Sequence, residues 1–178
     1  MPVSTAAAVP ILLYSSMFCP ETSSYYPGIN FLVSNYFDVG WDKGVISVPA
    51  PASSYTFYRA IMQEYTKTGV LGAFEVDFSD FLLLLFDEFA HDVSSASIWA
   101  TGMAQAAHDM TMSVQLCMTL PAYIMASLQW PAVTNARASE DNFPTNENRW
   151  KIAYTSMFYA ALDIRYAHHE YYPSSLNV

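Results

Sequence analysis

The sequence contains little charge, and basic residues are scarcest. Only 13% of its 178 residues are charged, with 7 Lys and Arg against 16 Asp and Glu. The formal net charge of −9 repels phosphate backbones and anionic lipid, and it gives no basic surface for nucleic acid. Neutral partners fit this charge better.

Several chemical signatures are also missing. The two cysteines, Cys19 and Cys117, form neither a CxxC pair nor a metal-ligand spacing, so they define no disulfide framework. The 6 glycines form no phosphate-binding loop, and no G-x-S-x-G nucleophile elbow is present. The histidines of "AHHE" (167–170) are interpreted as part of a solvated tail. The sequence therefore predicts no metal and no cofactor.

Long hydrophobic runs are absent as well. The longest apolar run, "FLLLLF" (81–86), is far shorter than the roughly 20 residues of a membrane span, so no transmembrane segment is predicted. "MPVSTAAAVPILLY" has no Lys or Arg before its apolar part and is interpreted as part of the fold.

Hydrophobic residues, in contrast, are abundant. They make up 53% of the chain, enough to bury the core of a single domain covering 1–178. Aromatic residues reach 16%, which suits core packing and also stacking against sugar rings. Composition does not choose between these two uses.

Strand and helix patterns alternate along the chain. Strands are predicted at 9–16, 70–78, 111–118 and 131–138, and helices at 54–69, 94–110, 121–130 and 146–164. Because parallel neighbours need crossover connections, this order predicts an α/β fold with about four parallel strands joined by helices. The Pro-, Gly-, Ser- and Tyr-rich stretch 17–54 is predicted to be a long irregular loop with a functional role.

Carboxylates follow two of the predicted strands. Asp77 ends the second strand, and Asp141 lies just past the fourth. The carboxyl ends of parallel strands form the mouth of α/β barrels, where reactive groups lie. Strand alternation places Glu75 on the face of Asp77, and Arg137 on the face of Ser139. The alternative is that these groups have ordinary capping and turn roles.

The motifs around these residues carry a family resemblance. The segment "RASED" (137–141) resembles the R-x-S-x-D signature after the sixth strand of the α-galactosidase-like clan of retaining glycoside hydrolases. "FEVDFSD" (74–80) resembles the fourth-strand motif of that clan, and "VQLCMTLP" (114–121) is similar to its fifth strand. The stretch from 57 to about 164 looks closest to uncharacterised hydrolase-like barrel proteins of protists and algae.

The resemblance implies a partial (β/α)8 barrel of the TIM type that is active on carbohydrate. Asp77 would be the nucleophile and Asp141 the general acid/base, with Arg137 and Ser139 orienting Asp141. Tyr36, Trp41, Trp130 and Phe143 are candidates for a platform under the sugar, with packing as the alternative for each.

Two departures from the clan pattern shape the expectation. Glu75 stands where the clan commonly has a Lys that contacts substrate hydroxyls, so hydroxyl recognition must differ, or Glu75 pairs with Arg137 instead. The strands that match are the third to sixth of a barrel, whereas a full barrel takes about 250 residues. The chain then forms a half-barrel, pairs with another chain, or belongs to a longer parent.

Two functions follow from this. The first is a glycoside hydrolase-like enzyme that cleaves an α-glycoside with retention. The second is a catalytically inactive, barrel-derived subunit that packs in a larger assembly or self-associates, since half a barrel leaves two strand edges, 9–16 and 131–138, open to pairing.

Overall fold

The structure is a computed structural model. It describes residues 11–15, 17–36, 44–67, 71–77, 79–137, 146–162 and 166–168. In chain order the elements are β1 (Ile11–Ser15), α1 (Thr22–Tyr25), β2 (Phe31–Tyr36), β3 (Gly44–Pro49), a 3-10 turn (Pro51–Ser53), α2 (Ser54–Thr66), β4 (Leu71–Val76), α3 (Ser79–Leu85), α4 (Asp87–His91), α5 (Val93–Asp109), β5 (Ser113–Leu116), α6 (Pro121–Ser127), β6 (Val133–Arg137), α7 (Asn146–Ala161) and β7 (Tyr166–His168).

A parallel sheet organises these elements. It has five strands in the order β1-β4-β5-β6-β7, and each strand pairs in parallel with the next. Helices lie in all the connections between these strands, as parallel pairing requires. The predicted α/β fold with a parallel sheet is confirmed, and its four predicted strands are β1, β4, β5 and β6.

The fifth strand includes Ala167 and His168, so the first half of the "AHHE" segment belongs to the sheet, while His169 and Glu170 lie outside the described residues. The backbone of Tyr166–His168 pairs with Asn135–Arg137 of β6. This pairing also corrects the expectation that β6 is an outer strand. Strand β7 is only three residues long and has no alternating pattern in the sequence. It is recognised as a strand because it pairs with β6.

The stretch 17–54 is not one irregular loop. Within it, β2 and β3 form an antiparallel pair, with Phe31 opposite Pro49 and Asn35 opposite Val45. Turn-forming residues in this stretch favour irregular structure, but "DVGWDKG" separates two strands that both contain β-branched residues. A further bridge joins Phe18 to Ser47 of β3.

The two faces of the parallel sheet differ in burial. Phe74, Val76, Val114 and Leu116 alternate along β4 and β5 and are all buried. They form the core with the helices. Sequential parallel strands with right-handed crossovers keep their helices on one face. The other side carries the side chains that alternate with these, and we call it the open face. Glu75 and Gln115 on this face are partly exposed.

The central helix pair of the core is α2 and α5. The two helices approach so closely at Gly102 that a Cβ atom there would lie 2.8 Å from the backbone nitrogen of Tyr55. Ser54, buried in the same contact, donates a hydrogen bond of 2.5 Å to the carbonyl oxygen of Trp99. Glycine is therefore required at 102 by space.

Asp92 determines where α5 begins. Its carboxylate accepts hydrogen bonds from the backbone nitrogens of Ser94 and Ser95 at 2.9 and 3.1 Å. The Ser95 hydroxyl also donates to it at 2.7 Å, and these bonds, led by that of the hydroxyl, lower the pKa of Asp92. A charged cap of this kind satisfies amide donors that the first turn leaves unpaired.

An aromatic cluster attaches the β2–β3 pair to the helices. Phe57 of α2 makes edge-to-face contacts with Phe18, Tyr26 and Phe31, whose ring centroids lie 4.9, 5.0 and 5.2 Å away. Such geometry adds to the gain from burial. Much of the aromatic content therefore serves packing.

None of the helices in the described residues has both the length and the apolar character needed to cross a bilayer.

Candidate active site

A row of side chains with polar groups crosses the open face. Tyr14 is in register with Glu75, Glu75 with Gln115, and Gln115 with Asn135. Register partners point to the same side of a sheet, so these four side chains share the open face. Tyr14 is 51% exposed, and the other three are partly covered.

A second row lies two residues further along the strands, at their carboxyl ends. It contains Asp77 after β4, Cys117 after β5 and Arg137 at the end of β6, which are 7%, 1% and 6% exposed. The two-residue spacing places them on the same side as Glu75, Gln115 and Asn135. A buried acid and a buried base thus flank a buried thiol.

The pKa of the Cys117 thiol reflects the burial and the charges of this row. Burial raises its pKa far above the ordinary value, and its hydrogen bond to Asp77 and the negative charges of Asp77 and Glu75 raise it further, while Arg137 lowers it. The group is therefore a neutral thiol at neutral pH. It serves as a hydrogen-bond donor to Asp77 and is a poor nucleophile.

The backbone after β5 is held in an uncommon conformation. Met118 has a φ of 45°, in the left-handed region, and its carbonyl oxygen accepts a hydrogen bond of 2.9 Å from the backbone nitrogen of Asp80. The hydroxyls of Ser79 and Thr119 donate to the carbonyl oxygen of Cys117 at 3.3 and 3.0 Å. These bonds tie the end of β5 to the start of α3. Strained backbone of this kind concentrates at functional sites.

Arg137 is anchored through its own backbone. The hydroxyl of Tyr159, buried in α7, donates a hydrogen bond of 3.2 Å to the carbonyl oxygen of Arg137. Burial also raises the pKa of Tyr159. The helix that follows β6 thus fixes the position of the strand end.

One acceptor in the first row lacks a protein donor. The side-chain oxygen Oδ1 of Asn135 is buried and has no hydrogen-bond partner among the described residues. A buried acceptor left in this way costs free energy unless a ligand or water supplies a donor. A ligand hydroxyl on the open face would satisfy it.

The structure brings three of the six predicted site residues together. Glu75, Asp77 and Arg137 lie on the open face around Cys117, and the direct ion pair between Glu75 and Arg137 stays a prediction. Trp41, Ser139 and Asp141 lie outside the described residues. Of the other platform candidates, Trp130 is buried and packs against Tyr123 with ring centroids 6.3 Å apart, so packing is its role.

The sequence interpretation missed Tyr14, Cys117, Gln115 and Asn135. Their signal was present, because Gln115 and Cys117 alternate along β5 as Glu75 and Asp77 do along β4. The sequence does not show which strands are neighbours or in what register they pair. Without that information these residues cannot be placed in one site.

Other parts of the described chain contain fewer features of a functional site. A cleft of about 290 Å³ between β2 and the α3–α4 junction is lined by Leu32, Val33, Ser34, Leu85, Phe86, Asp87 and Glu88 and lies apart from the strand ends. No group of three or more His, Cys, Asp or Glu in the described residues is arranged to hold a metal ion.

Comparison with models of known protein families finds no match. No curated protein matches the chain either.

Proposed function

We propose that the chain is a carbohydrate-active, glycoside hydrolase-like domain built as part of a (β/α)8 barrel, which cleaves an α-glycoside with retention. One observation carries the proposal. Asp77 and Arg137 are both buried at the carboxyl ends of strands that are separated by β5 alone, and they face the same side. The resemblance requires this spacing between the strand of the nucleophile and the strand that precedes the acid/base.

The proposed reaction is a double displacement. An oxygen of the Asp77 carboxylate attacks the anomeric carbon while the bond to the leaving oxygen breaks, and Asp141 gives its proton to that oxygen. Asp141 then takes a proton from water, which attacks the same carbon and releases Asp77. The Cys117 thiol donates a hydrogen bond to Asp77 and so helps to hold its carboxylate in position.

The remaining residues bind the sugar or position the acid. Arg137 and Ser139 orient Asp141, and Trp41 offers an aromatic face to the ring. Glu75 accepts hydrogen bonds from sugar hydroxyls, whereas a Lys at this position would donate them. The unpaired Oδ1 of Asn135 supports this role for the open face, because sugar hydroxyls are donors.

Activity on a panel of aryl α-glycosides tests the proposal. Asp77→Asn and Asp141→Asn should each lower kcat by orders of magnitude, since both groups act mainly in the transition state. In Asp77→Ala, sodium azide should restore turnover and yield a β-configured glycosyl azide. The melting temperatures of the variants show whether the fold is retained.

Asp109→Asn is the matched control. Asp109 ends α5 just before β5 begins, so it lies at the opposite end of the strand from Cys117, and its variant should keep full activity. Full turnover in Asp77→Asn or Asp141→Asn would overturn the assignment.

A second candidate is the inactive barrel-derived subunit, favoured by a different observation. Among the described residues, β1 and β7 each have one neighbour in the parallel sheet, and Tyr14 on the open face of β1 is 51% exposed. Parallel sheets are normally covered on both faces. For such a subunit, Asp77→Asn changes stability or assembly, and no aryl glycoside is cleaved by the parent chain.

A further inference from the structure

Helix α7 carries a stripe of exposed apolar side chains. Trp150, Tyr154, Met157 and Phe158 are 71%, 62%, 73% and 38% exposed. The face toward the sheet is marked by Tyr159, which is 5% exposed. At 100° per residue, Trp150, Tyr154 and Met157 point within about 40° of the direction opposite Tyr159. We call these four residues the α7 stripe.

The stripe puts large apolar side chains on the side of α7 that faces away from Tyr159. A surface helix normally turns its apolar side toward the core and its polar side toward water, so the outward side of α7 is unusual. Large exposed apolar patches on soluble proteins mark interaction sites.

We propose that the α7 stripe is the contact surface for a second copy of this chain, with the two helices antiparallel about a two-fold axis at Tyr154. Trp150 precedes Tyr154 by four residues, and Phe158 follows it by four. An antiparallel pair centred on Tyr154 therefore stacks Tyr154 on its copy and brings each Trp150 to the Phe158 of the other helix. A two-fold interface requires a patch that is complementary to itself, and this spacing provides it.

The charges of α7 favour the same orientation. Glu147, Arg149 and Lys151 lie in the first half of the helix, and residues 152–161 contain no charged side chain. Glu147 and Lys151 already form an ion pair of 3.1 Å within the helix. Antiparallel packing places each charged half against an uncharged half, whereas parallel packing would bring like charges together. Antiparallel helix dipoles add to this preference.

The size of the stripe sets the strength of the contact. Its four side chains expose roughly 500 Å² in each copy, given the area of large apolar side chains. Two copies would bury roughly 1,000 Å², the lower limit for a specific interface. The dimer is therefore weak and dissociates on dilution.

Sedimentation velocity of the full chain between about 1 and 100 µM tests the proposal, because weak dimers dissociate over such a range. The sedimentation coefficient should rise with concentration. Tyr154→Glu places two carboxylates across the axis and should keep the chain monomeric throughout. Tyr25→Glu is the control, since Tyr25 is 78% exposed in α1 and lies outside the stripe, and it should dimerise as the parent does.

A charge exchange tests the antiparallel register. Trp150→Glu and Phe158→Lys should each weaken the dimer. The chain that carries both should associate more strongly than either single variant, because residue 150 then meets a charge of opposite sign at 158. Circular dichroism and melting temperature confirm that each variant is folded.

Three results would overturn the proposal. A parent chain that stays monomeric over the whole range leaves the stripe to a partner of another kind. A dimer that survives Tyr154→Glu uses another surface, such as a sheet edge. A doubly substituted chain that associates no more strongly than the two single variants rejects the antiparallel register.

Discussion

The thiol of Cys117 donates a hydrogen bond to the carboxylate of Asp77, and this contact joins the carboxyl ends of β5 and β4. Both groups are buried, so the bond forms where water competes little. It fixes the orientation of Asp77, the residue proposed as nucleophile. The thiol thus acts on the carboxylate, and the carboxylate in turn keeps the thiol protonated.

Removal of the Asp77 charge should make Cys117 easier to ionise. In a Cys19→Ala background, where Cys117 is the remaining cysteine, Asp77→Asn removes a negative charge that raises the pKa of the thiol. The pH profile of alkylation by iodoacetamide should shift to lower pH. Asp109→Asn in the same background should leave the profile unchanged, and an unshifted profile in Asp77→Asn would show that the contact is not formed.

The raised pKa of Cys117 also predicts how stability depends on pH. The unfolded thiol ionises near pH 8.5, about where a free cysteine does, whereas the folded thiol holds its proton to much higher pH. Its contribution to stability is therefore complete below about pH 8.5 and is lost above it, by up to about 1.4 kcal/mol per pH unit.

Urea unfolding at about pH 7.5 and 9.5 measures this loss. Cys117→Ala should lose less stability between the two pH values than the parent, and Cys19→Ala should lose as much as the parent. Equal losses in all three chains would contradict the prediction.

Gly102→Ala should destabilise the fold, although alanine is the better helix former. The added methyl would lie 2.8 Å from the backbone nitrogen of Tyr55, so α2 must move away from α5. Overpacking of this kind costs about 1–3 kcal/mol, which exceeds the gain of about 1 kcal/mol in helix propensity. Thermal unfolding is the measurement. Gly44→Ala is the control, because a methyl there has no neighbour within 4 Å.

Tyr159→Phe should weaken the anchor of β6. The change removes the donor to the buried carbonyl oxygen of Arg137, at a cost of about 0.5–1.5 kcal/mol. Tyr154→Phe, on the exposed side of the same helix, removes a hydroxyl that water can replace and should have little effect. If chemical denaturation gives equal stabilities for the two variants, the Tyr159 hydrogen bond contributes nothing.

Periodicity in the sequence was sufficient for the main elements of the fold. The alternating and apolar runs at β1, β4, β5 and β6, separated by helical patterns, predict the parallel sheet because few other arrangements join parallel strands. The β2–β3 pair was missed because its turn-forming residues outweighed its short strands. Strand β7 was missed because three residues carry too little pattern.

The site was predictable in part, for a related reason. Asp77 and Arg137 stand out because charge is rare in this chain and both lie at the carboxyl ends of predicted strands. Cys117 and Asn135 look like ordinary strand residues until register places them beside the charged ones. The unpaired oxygen of Asn135 depends on side-chain positions and leaves no mark in the sequence.

The neighbour-to-neighbour order of the sheet has a consequence for synthesis on the ribosome. Strand β1 pairs with β4, so Ile11 cannot pair until Leu71, 60 residues later, has been synthesised. Each subsequent strand of the parallel sheet pairs with the strand completed just before it. Nascent β1 is therefore held without its sheet neighbour while the β2–β3 pair and α2 emerge and fold locally. Once β4 is out, the sheet grows in the direction of translation, one strand at a time from β4 to β7.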